Sequence, residues 1–384
     1  MSVDLGSLLD DIRAMVECES PSHDLAAVAR SAEVVAAVGA RRLGVEAERI
    51  VIDGRTHLRW QLGSSPSPVL LLGHHDTVWP IGTLARRPFA VEGGVLRGPG
   101  CFDMLAGVAM AFHAAAGADP STGSGQPAVT VLLTGDEELG SPSSRALVEQ
   151  EARAARAVLV LEASADGGAL KTERKGVSLY SVHIGGRAAH AGLEPERGTN
   201  AAVELSHQVL AMAALGDPVA GTTVTPTAAR AGTTTNTVPA AASVSVDVRT
   251  RTVAEQERVD LDLRRLRPVL PGATVEVHGG PNRPPLEASA SAALFERACG
   301  VAARLGLPPL TWASVGGASD GNFTAGVGTP TLDGLGAVGG GAHAEDEHVL
   351  VAELPRRTAL LRGLVADLLA DRTNPALAGR GGRP

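Results

Sequence analysis

The chain has 384 residues, room for two domains of ordinary size, and its 44% hydrophobic and 20% charged residues allow a substantial core and exclude wholesale disorder. Lys and Arg number 34 against 42 Asp and Glu, a formal net charge of −8, and aromatics make up 2%, so the basic face and stacking platforms of a nucleic-acid binder are missing. No run approaches the roughly 20 apolar residues of a membrane span, and the opening MSVDLGSLLDDIRAMVE carries acids where an export signal carries Lys or Arg.

Three scattered thiols, Cys18, Cys101 and Cys299, frame no disulfide set and no zinc–thiolate site. A reducing cytoplasm is the expected location.

Taken in chain order, apolar residues at three- and four-residue intervals predict helices over residues 5–16 and 25–43. An apolar run at 68–73 reads as a strand buried on both faces, and it ends in His74-His75-Asp76. A helix is expected over 104–116, following Gly98-Pro-Gly-Cys-Phe-Asp103, and then a loop over 117–127 rich in Gly, Ser and Pro. A second buried-type strand, 128–134, ends in Gly135-Asp-Glu-Glu-Leu-Gly140, and a third, 157–161, ends in Glu162. Strands alternating with helices imply an α/β domain with a mixed, mostly parallel sheet flanked by helices. In open sheets of this kind ligands bind beyond the carboxyl ends of the strands. Here three successive apolar runs deliver His or a carboxylate to that end.

The texture changes at residue 176. Strand-like stretches at 177–184, 224–231, 242–249 and 273–277 alternate with helical ones at 199–215 and 253–269. The order β-α-β-β-α-β is that of a ferredoxin-like sandwich. Residues 176–285 are therefore expected to form a domain inserted in a larger one made of 1–175 and 286–384, with 373–384 as a loose tail.

Several acids and histidines at the strand ends can be assembled into one site. His74 and Asp76, at i and i+2, lie on one side of an extended segment, and Asp76 is a candidate acceptor for the second ring nitrogen of His74. Asp103 follows a Gly-Pro-Gly turn. Glu137 and Glu138 are adjacent, so one can bind a metal while the other stays free. Glu162 ends the third strand, and His343 stands in Gly339-Gly-Gly-Ala-His343-Ala-Glu-Asp-Glu347. Histidine with carboxylate and no thiolate suits Zn²⁺ or a harder divalent ion. His74, Asp103, Glu138, Glu162 and His343 bring three negative charges and two neutral nitrogens, so two divalent cations leave one positive charge for a bridging hydroxide. Glu137 would then serve as general base.

The motifs His74-His-Asp76, Gly98-Pro-Gly-Cys-Phe-Asp103, Asp136-Glu-Glu138, Glu162 and His343 resemble those of the M20 metallopeptidases, the family of aminoacylase, acetylornithine deacetylase, succinyl-diaminopimelate desuccinylase and glutamate carboxypeptidase. Gly186-Arg-Ala-Ala-His190, Thr235-Asn236-Thr-Val-Pro239, Asp247-Val-Arg249 and Gly316-Gly-Ala-Ser319-Asp320 are similar to further motifs of that family, in the family's order. The Gly-Pro-Gly form before Asp103 leans towards the glutamate carboxypeptidase branch.

The resemblance implies two Zn²⁺ ions, with Co²⁺ or Mn²⁺ as substitutes, and Asp103 as the bridge. His74 and Glu162 would hold one ion, Glu138 and His343 the other. It implies Glu137 as the base, Asp76 as its orienting partner, His190 as a lid histidine stabilising an oxyanion, and a homodimer formed through the lid. Asn236, Arg249 and Arg283 would grip the substrate. The expected activity is carboxypeptidase-like cleavage of a peptide or N-acyl bond to an amino acid with a free carboxylate. The alternatives are a deacylase for a small N-acyl metabolite, an amidohydrolase of specialised metabolism, and a catalytically silent binding module.

One departure stands out. The family often has Lys two residues after the bridging Asp, where this chain has Leu105. Cys101 reads as a buried thiol rather than a ligand. His75 reads as packing, and Glu345 and Glu347 either orient His343 or cap a helix. His23, His57, His113, His183, His207, His278 and His348 lack partners at ligand spacing and read as surface or core residues.

Overall fold

Two Asp-capped helices open the chain in the computed structural model, which describes residues 3–116 and 129–371. They run over Leu5–Val16 and Leu25–Leu43, as the apolar spacing predicts. Asp4 accepts the amide of Gly6, and Asp24 those of Ala26 and Ala27, satisfying donors that a helix start leaves orphaned. The second helix ends at Gly44, whose φ of 68° is the left-handed stop that glycine adopts freely. The expected loop at 117–127, residue 128 of the second expected strand and the expected tail at 373–384 lie outside the described residues.

The described residues fall into two compact units. One consists of Arg174–Glu287 with Gly316–Ala318, and the other of the remainder. In the larger unit a mixed six-stranded sheet has the order Glu48–Ile52, Arg55–Leu62, Val129–Thr134, Val69–His74, Ala157–Val160, Thr331–Leu332. The first two pairings are antiparallel and the other three parallel. Val69–His74, Val129–Thr134 and Ala157–Val160 are buried along their whole length, as near-continuous apolar strands covered on both faces must be. Because these three run parallel, with His74 opposite Thr134 and Leu72 opposite Val160, their carboxyl ends emerge side by side. That edge receives His74, Glu137, Glu138 and Glu162. Among the described residues, no helix is long and apolar enough to cross a membrane.

The antiparallel hairpin Glu48–Ile52/Arg55–Leu62 was not anticipated, although its signal is in the sequence. Asp53-Gly54 is a two-residue turn with both φ values positive, 50° and 78°, the geometry that Asp-Gly favours between twisted strands. The helix expected over 104–116 begins later, at Ala106, and runs to Ala115. Asp103 and Met104 have non-helical φ/ψ (−115°/92° and −136°/30°), so residues 101–105 form an irregular turn ahead of the helix; the Asp103–Met104 peptide is cis. Gly107 on the first turn of that helix lies so close to the strand at 157–160 that an added Cβ would stand 2.2 Å from the Leu161 carbonyl oxygen.

The second unit has the β-α-β-β-α-β order, with strands Gly176–Gly185, Thr223–Ala231, Ala241–Thr250 and Thr274–Arg283 and helices Ala201–Ala213 and Val253–Arg264. Its sheet is antiparallel throughout, ordered 223–231, 241–250, 176–185, 274–283, which is the split βαβ arrangement. The inward-facing Tyr180, Val182, Ile184, Val244, Val246 and Val248 pack against Leu205, Met212, Val259 and Leu263 of the two helices. The second helix stops at Arg264 rather than 269, since Pro268 cannot continue it. The last strand runs on to Arg283, past its expected end at 277, with a bulge at Pro281.

Candidate metal centre

Each candidate ligand enters the site on an element that fixes it. His74 is the last residue of a buried central strand. Its Nδ1 pairs with the main-chain carbonyl of Asp76 at 2.9 Å, which leaves Nε2 pointing the other way. The expected partner, the Asp76 carboxylate, lies farther from Nδ1, at 3.6 Å. An i,i+2 carbonyl is simply nearer once the chain bends after the strand. The Asp76 carboxylate instead accepts the amides of Glu137 (Oδ1, 3.2 Å) and Glu138 (Oδ2, 3.2 Å), and so pins the turn that carries the acidic pair.

That turn is closed from its other side by Asp136, whose Oδ2 accepts the Ser143 amide and hydroxyl and the Ser144 amide. Burial would raise the Asp136 carboxyl, but these donors hold it below its ordinary range. Asp320, from the late motif, accepts hydroxyls from Ser141 and Thr134 around the same turn.

The five expected ligands come together as two trios that share one residue. Donor atoms of His74, Asp103 and Glu162 lie within 4.8 Å of one another, and so do those of Asp103, Glu138 and His343. His74 Nε2 is 3.3 Å from Asp103 Oδ1 and 3.7 Å from Glu162 Oε1. His343 Nε2 is 3.3 Å from Asp103 Oδ2 and 3.1 Å from Glu138 Oε1. The two oxygens of Asp103 thus face different imidazoles, the disposition of a carboxylate that can bridge two ions.

Electrostatics favour cations here. Burial would lower the His74 imidazole, yet Asp103, Asp76, Glu137 and Glu162 drive it well above its ordinary value. Asp103 and Glu138 raise His343 to about 10. Burial raises the Asp103 carboxyl, and the two imidazoles outweigh it and depress it strongly. Among the described residues, the buried His74 Nε2 and Asp103 Oδ1 have no hydrogen bond of good geometry although they face each other. A donor set of two imidazoles and three carboxylates, with such atoms aimed inward, fits a pair of divalent ions bound at about 2.0–2.2 Å per ligand.

Glu137 belongs to neither trio. It is buried next to Glu138, in the same short turn Glu137–Leu139. Cys101 is fully buried, and burial together with Glu347 pushes its thiol far above the range of a thiolate ligand. Leu105 is a core residue. His75 is buried and bonded to Ser31 and the Thr56 carbonyl, in keeping with a packing role.

The remaining expected site residues lie in the Arg174–Glu287 unit. His190 is exposed, and its Nδ1 accepts the Gly192 amide. Asn236 is exposed, and its main-chain carbonyl accepts the Ala191 amide. Arg249 was expected to hold a substrate carboxylate, but in the structure its guanidinium forks onto Asp247, with contacts of 2.7 and 2.9 Å. Its two-residue spacing from Asp247 along one strand places both side chains on the same face. Arg283 is buried at the end of its strand, opposite Val177.

Sequence reasoning missed the place of Glu347. Its buried carboxylate makes no bond to the His343 ring and instead accepts the amides of Gly100, Phe102 and Asp103, at the head of the segment that leads into the helix from Ala106. A glycine-rich loop followed by an acid four residues beyond a ligand histidine was the available signal.

The chain is similar to known proteins over most of its length. The model of peptidase family M20/M25/M40 matches residues 70–367. Carboxypeptidase G2 of Pseudomonas sp. (strain RS-16) is 34% identical over 321 residues, 80% of this chain and 75% of that protein. Among solved structures, aminopeptidase PepT of Bacillus cereus superposes with a TM-score of 0.74 at 22% identity, covering 95% of this chain and 99% of that one. YXEP of Bacillus subtilis, a dinuclear metal-binding peptidase, gives 0.68 at 16% identity over 95% and 98%. At these identities the two structures establish the mixed α/β fold.

Proposed function

This chain belongs to the M20 metallopeptidase family and is a metal-dependent hydrolase of that family, and on that premise we propose that it is a two-zinc enzyme cleaving the amide bond to an amino acid that carries a free carboxylate. The observation that carries this reading is the pair of donor trios sharing Asp103, with Glu137 beside them and outside both.

Bound divalent ions would polarise the scissile carbonyl and bring the pKa of a shared water towards neutrality. Glu137 would take the proton from the attacking water and deliver it to the leaving nitrogen, the two-way transfer that a buried carboxylate outside the ligand set can make. Asp76 would hold Glu137 in place through the amides of the turn. His190 would stabilise the oxyanion. Asn236 and Arg283 would hold the substrate carboxylate, and Arg249 would join them by exchanging Asp247 for it, since a guanidinium fork grips either carboxylate equally well.

The 34% identity with a carboxypeptidase supports a C-terminal amino acid as the departing group. A lid role for residues 176–285 and a homodimer through that unit complete the reading, which light scattering tests. A cytoplasmic location accords with three unpaired thiols.

The substrate test is a panel of peptides with C-terminal Glu, N-acetyl amino acids and N-succinyl amino acids, offered to chelator-stripped protein with Zn²⁺, Co²⁺ or Mn²⁺ added back. Preferred hydrolysis of C-terminal glutamyl amides supports the proposal. Preference for the small N-acyl compounds moves the enzyme to the deacylases, and a protein inert with every metal and substrate contradicts the catalytic reading.

A further inference from the structure

We infer that Glu347 is the positioning residue of the second donor trio: its carboxylate grips the turn that carries Asp103 while its main-chain amide closes the tight turn directly after the one that carries His343, so one residue links the segments that bear two of the three ligands. The inference rests on the two-metal reading above.

The Glu347 carboxylate is fully buried and has four donors on its two oxygens. Oε1 accepts the amides of Phe102 (3.0 Å) and Asp103 (3.1 Å). Oε2 accepts the Gly100 amide (2.9 Å) and the indole N–H of Trp79 (2.8 Å). Three amides within four residues converging on one carboxylate define the path of the chain into Asp103, and charge-assisted bonds of this kind are about twice as strong as neutral ones.

The main chain around Glu347 ties the other ligand to the same place. The Glu347 amide donates to the Ala344 carbonyl at 3.1 Å, and the Ala344 amide to that of Gly341 at 2.9 Å, so His343 lies within one tight turn and Glu347 closes the next. Gly341 has a φ of +74°, and a Cβ there would lie 2.8 Å from the Glu347 nitrogen. Immediately after Glu347, strand His348–Leu350 pairs antiparallel with Val95–Arg97, His348 opposite Arg97, and Val95–Arg97 leads straight into Gly98-Pro-Gly. The two ligand-bearing segments are therefore joined by a strand pair, and at its end by the Glu347 carboxylate.

The trios depend on this clamp unequally. In the first, His74 and Glu162 are set by strands of the central sheet, and Asp103 alone is reached by Glu347. In the second, both Asp103 and His343 are reached, and Glu138 alone is independent.

The test is a titration of metal-free wild type, Glu347→Gln and His343→Ala with Co²⁺, followed by visible absorption and calorimetry, with no substrate present. Gln keeps the size but turns one acceptor into a donor facing donors. In Glu347→Gln the ion of the second trio is expected to bind roughly 10–100-fold more weakly, the usual effect of removing a partner that orients a ligand, and the ion of the first, which meets the clamp at Asp103 alone, to be weakened by less. The more weakened step should be the one that His343→Ala abolishes, and adding Glu347→Gln to His343→Ala should move the remaining step by less than that.

Two steps identical to wild type, or two steps weakened equally, overturn the assignment. If Glu347→Gln does not fold by circular dichroism, Trp79→Phe takes its place, removing one donor of four. A shift of a few-fold, larger at that step than at the other, then supports the assignment, and an unshifted step overturns it. A wild-type chain that takes up only one ion refutes the two-metal reading itself, and with it this assignment, before any variant is compared.

Discussion

Replacing Glu137 by Gln separates proton transfer from metal binding. Both trios are complete without Glu137, and the turn that carries it is held through its main-chain amide by Asp76, a bond that Gln keeps. Gln cannot exchange a proton near neutral pH. Loss of a positioned base typically costs 10²–10⁴ in rate. The side chain is only 8% exposed, so bulk water does not readily replace it, and the upper half of that range is expected: roughly 10³–10⁴ in kcat, or about 4–5.5 kcal/mol of transition-state stabilisation.

KM should stay within a few-fold, and the metal content should remain at two ions per chain. In the metal-free protein the substitution removes one negative charge from a cluster that includes Asp76, Asp103 and Glu162, so the melting temperature of the stripped variant should be above that of stripped wild type. Steady-state hydrolysis, metal analysis and thermal unfolding of the two forms together check the reasoning. Undiminished kcat would show that another group moves the proton. Loss of an ion would show that Glu137 is a ligand.

Other expected outcomes follow from the same structure. Asp11 is buried and accepts from His113, Arg41 and Arg42; burial raises its carboxyl, and those three partners together push it below the ordinary carboxylate range. Asp11→Asn should cost about 3 kcal/mol, the low end for a broken buried pair, since Arg41 is half exposed. That is about 5 °C of melting temperature for a unit of this size. Because the folded group titrates below the unfolded value of 3.8, its stabilisation is complete above that pH and is lost as pH falls through the folded value. The gap between wild type and variant should therefore close in acid; a gap independent of pH would contradict the pairing.

Gly107→Ala drives a methyl against the Leu161 carbonyl, one residue before Glu162. It should lower stability by about 2–3 kcal/mol in denaturant unfolding and weaken the ion at the His74 trio more than that at the His343 trio. Chelation should abolish hydrolysis reversibly and lower the melting temperature, since it leaves the carboxylates of the two trios facing one another.

The site was more legible in the sequence than the fold around it. Fully apolar runs that end abruptly in His74, Asp136-Glu-Glu138 and Glu162 can scarcely be anything but central strands delivering ligands to one edge, and that pattern survives without any knowledge of pairing. The hairpin at 48–62 escaped because its strands mix Arg, His, Thr and Gln with apolar residues, and only the Asp53-Gly54 turn marks it. The start of the helix after Asp103 escaped because Met104 and Leu105 look helical by spacing, whereas the turn is dictated by an acid some 240 residues away. Glu347 illustrates the general limit: a carboxylate that binds backbone amides leaves no side-chain pattern at its target. Arg249 shows another, since a guanidinium's partner, Asp247 or a ligand, is decided by geometry rather than by residue type.

The central claim is that two ions are held by trios joined through Asp103, and metal content per chain tests it most directly. Purified wild type reconstituted with Zn²⁺ and freed of excess should hold two ions, His74→Ala and His343→Ala one each, and Asp103→Ala fewer than either. One ion in wild type, or two retained in His343→Ala, would contradict the account.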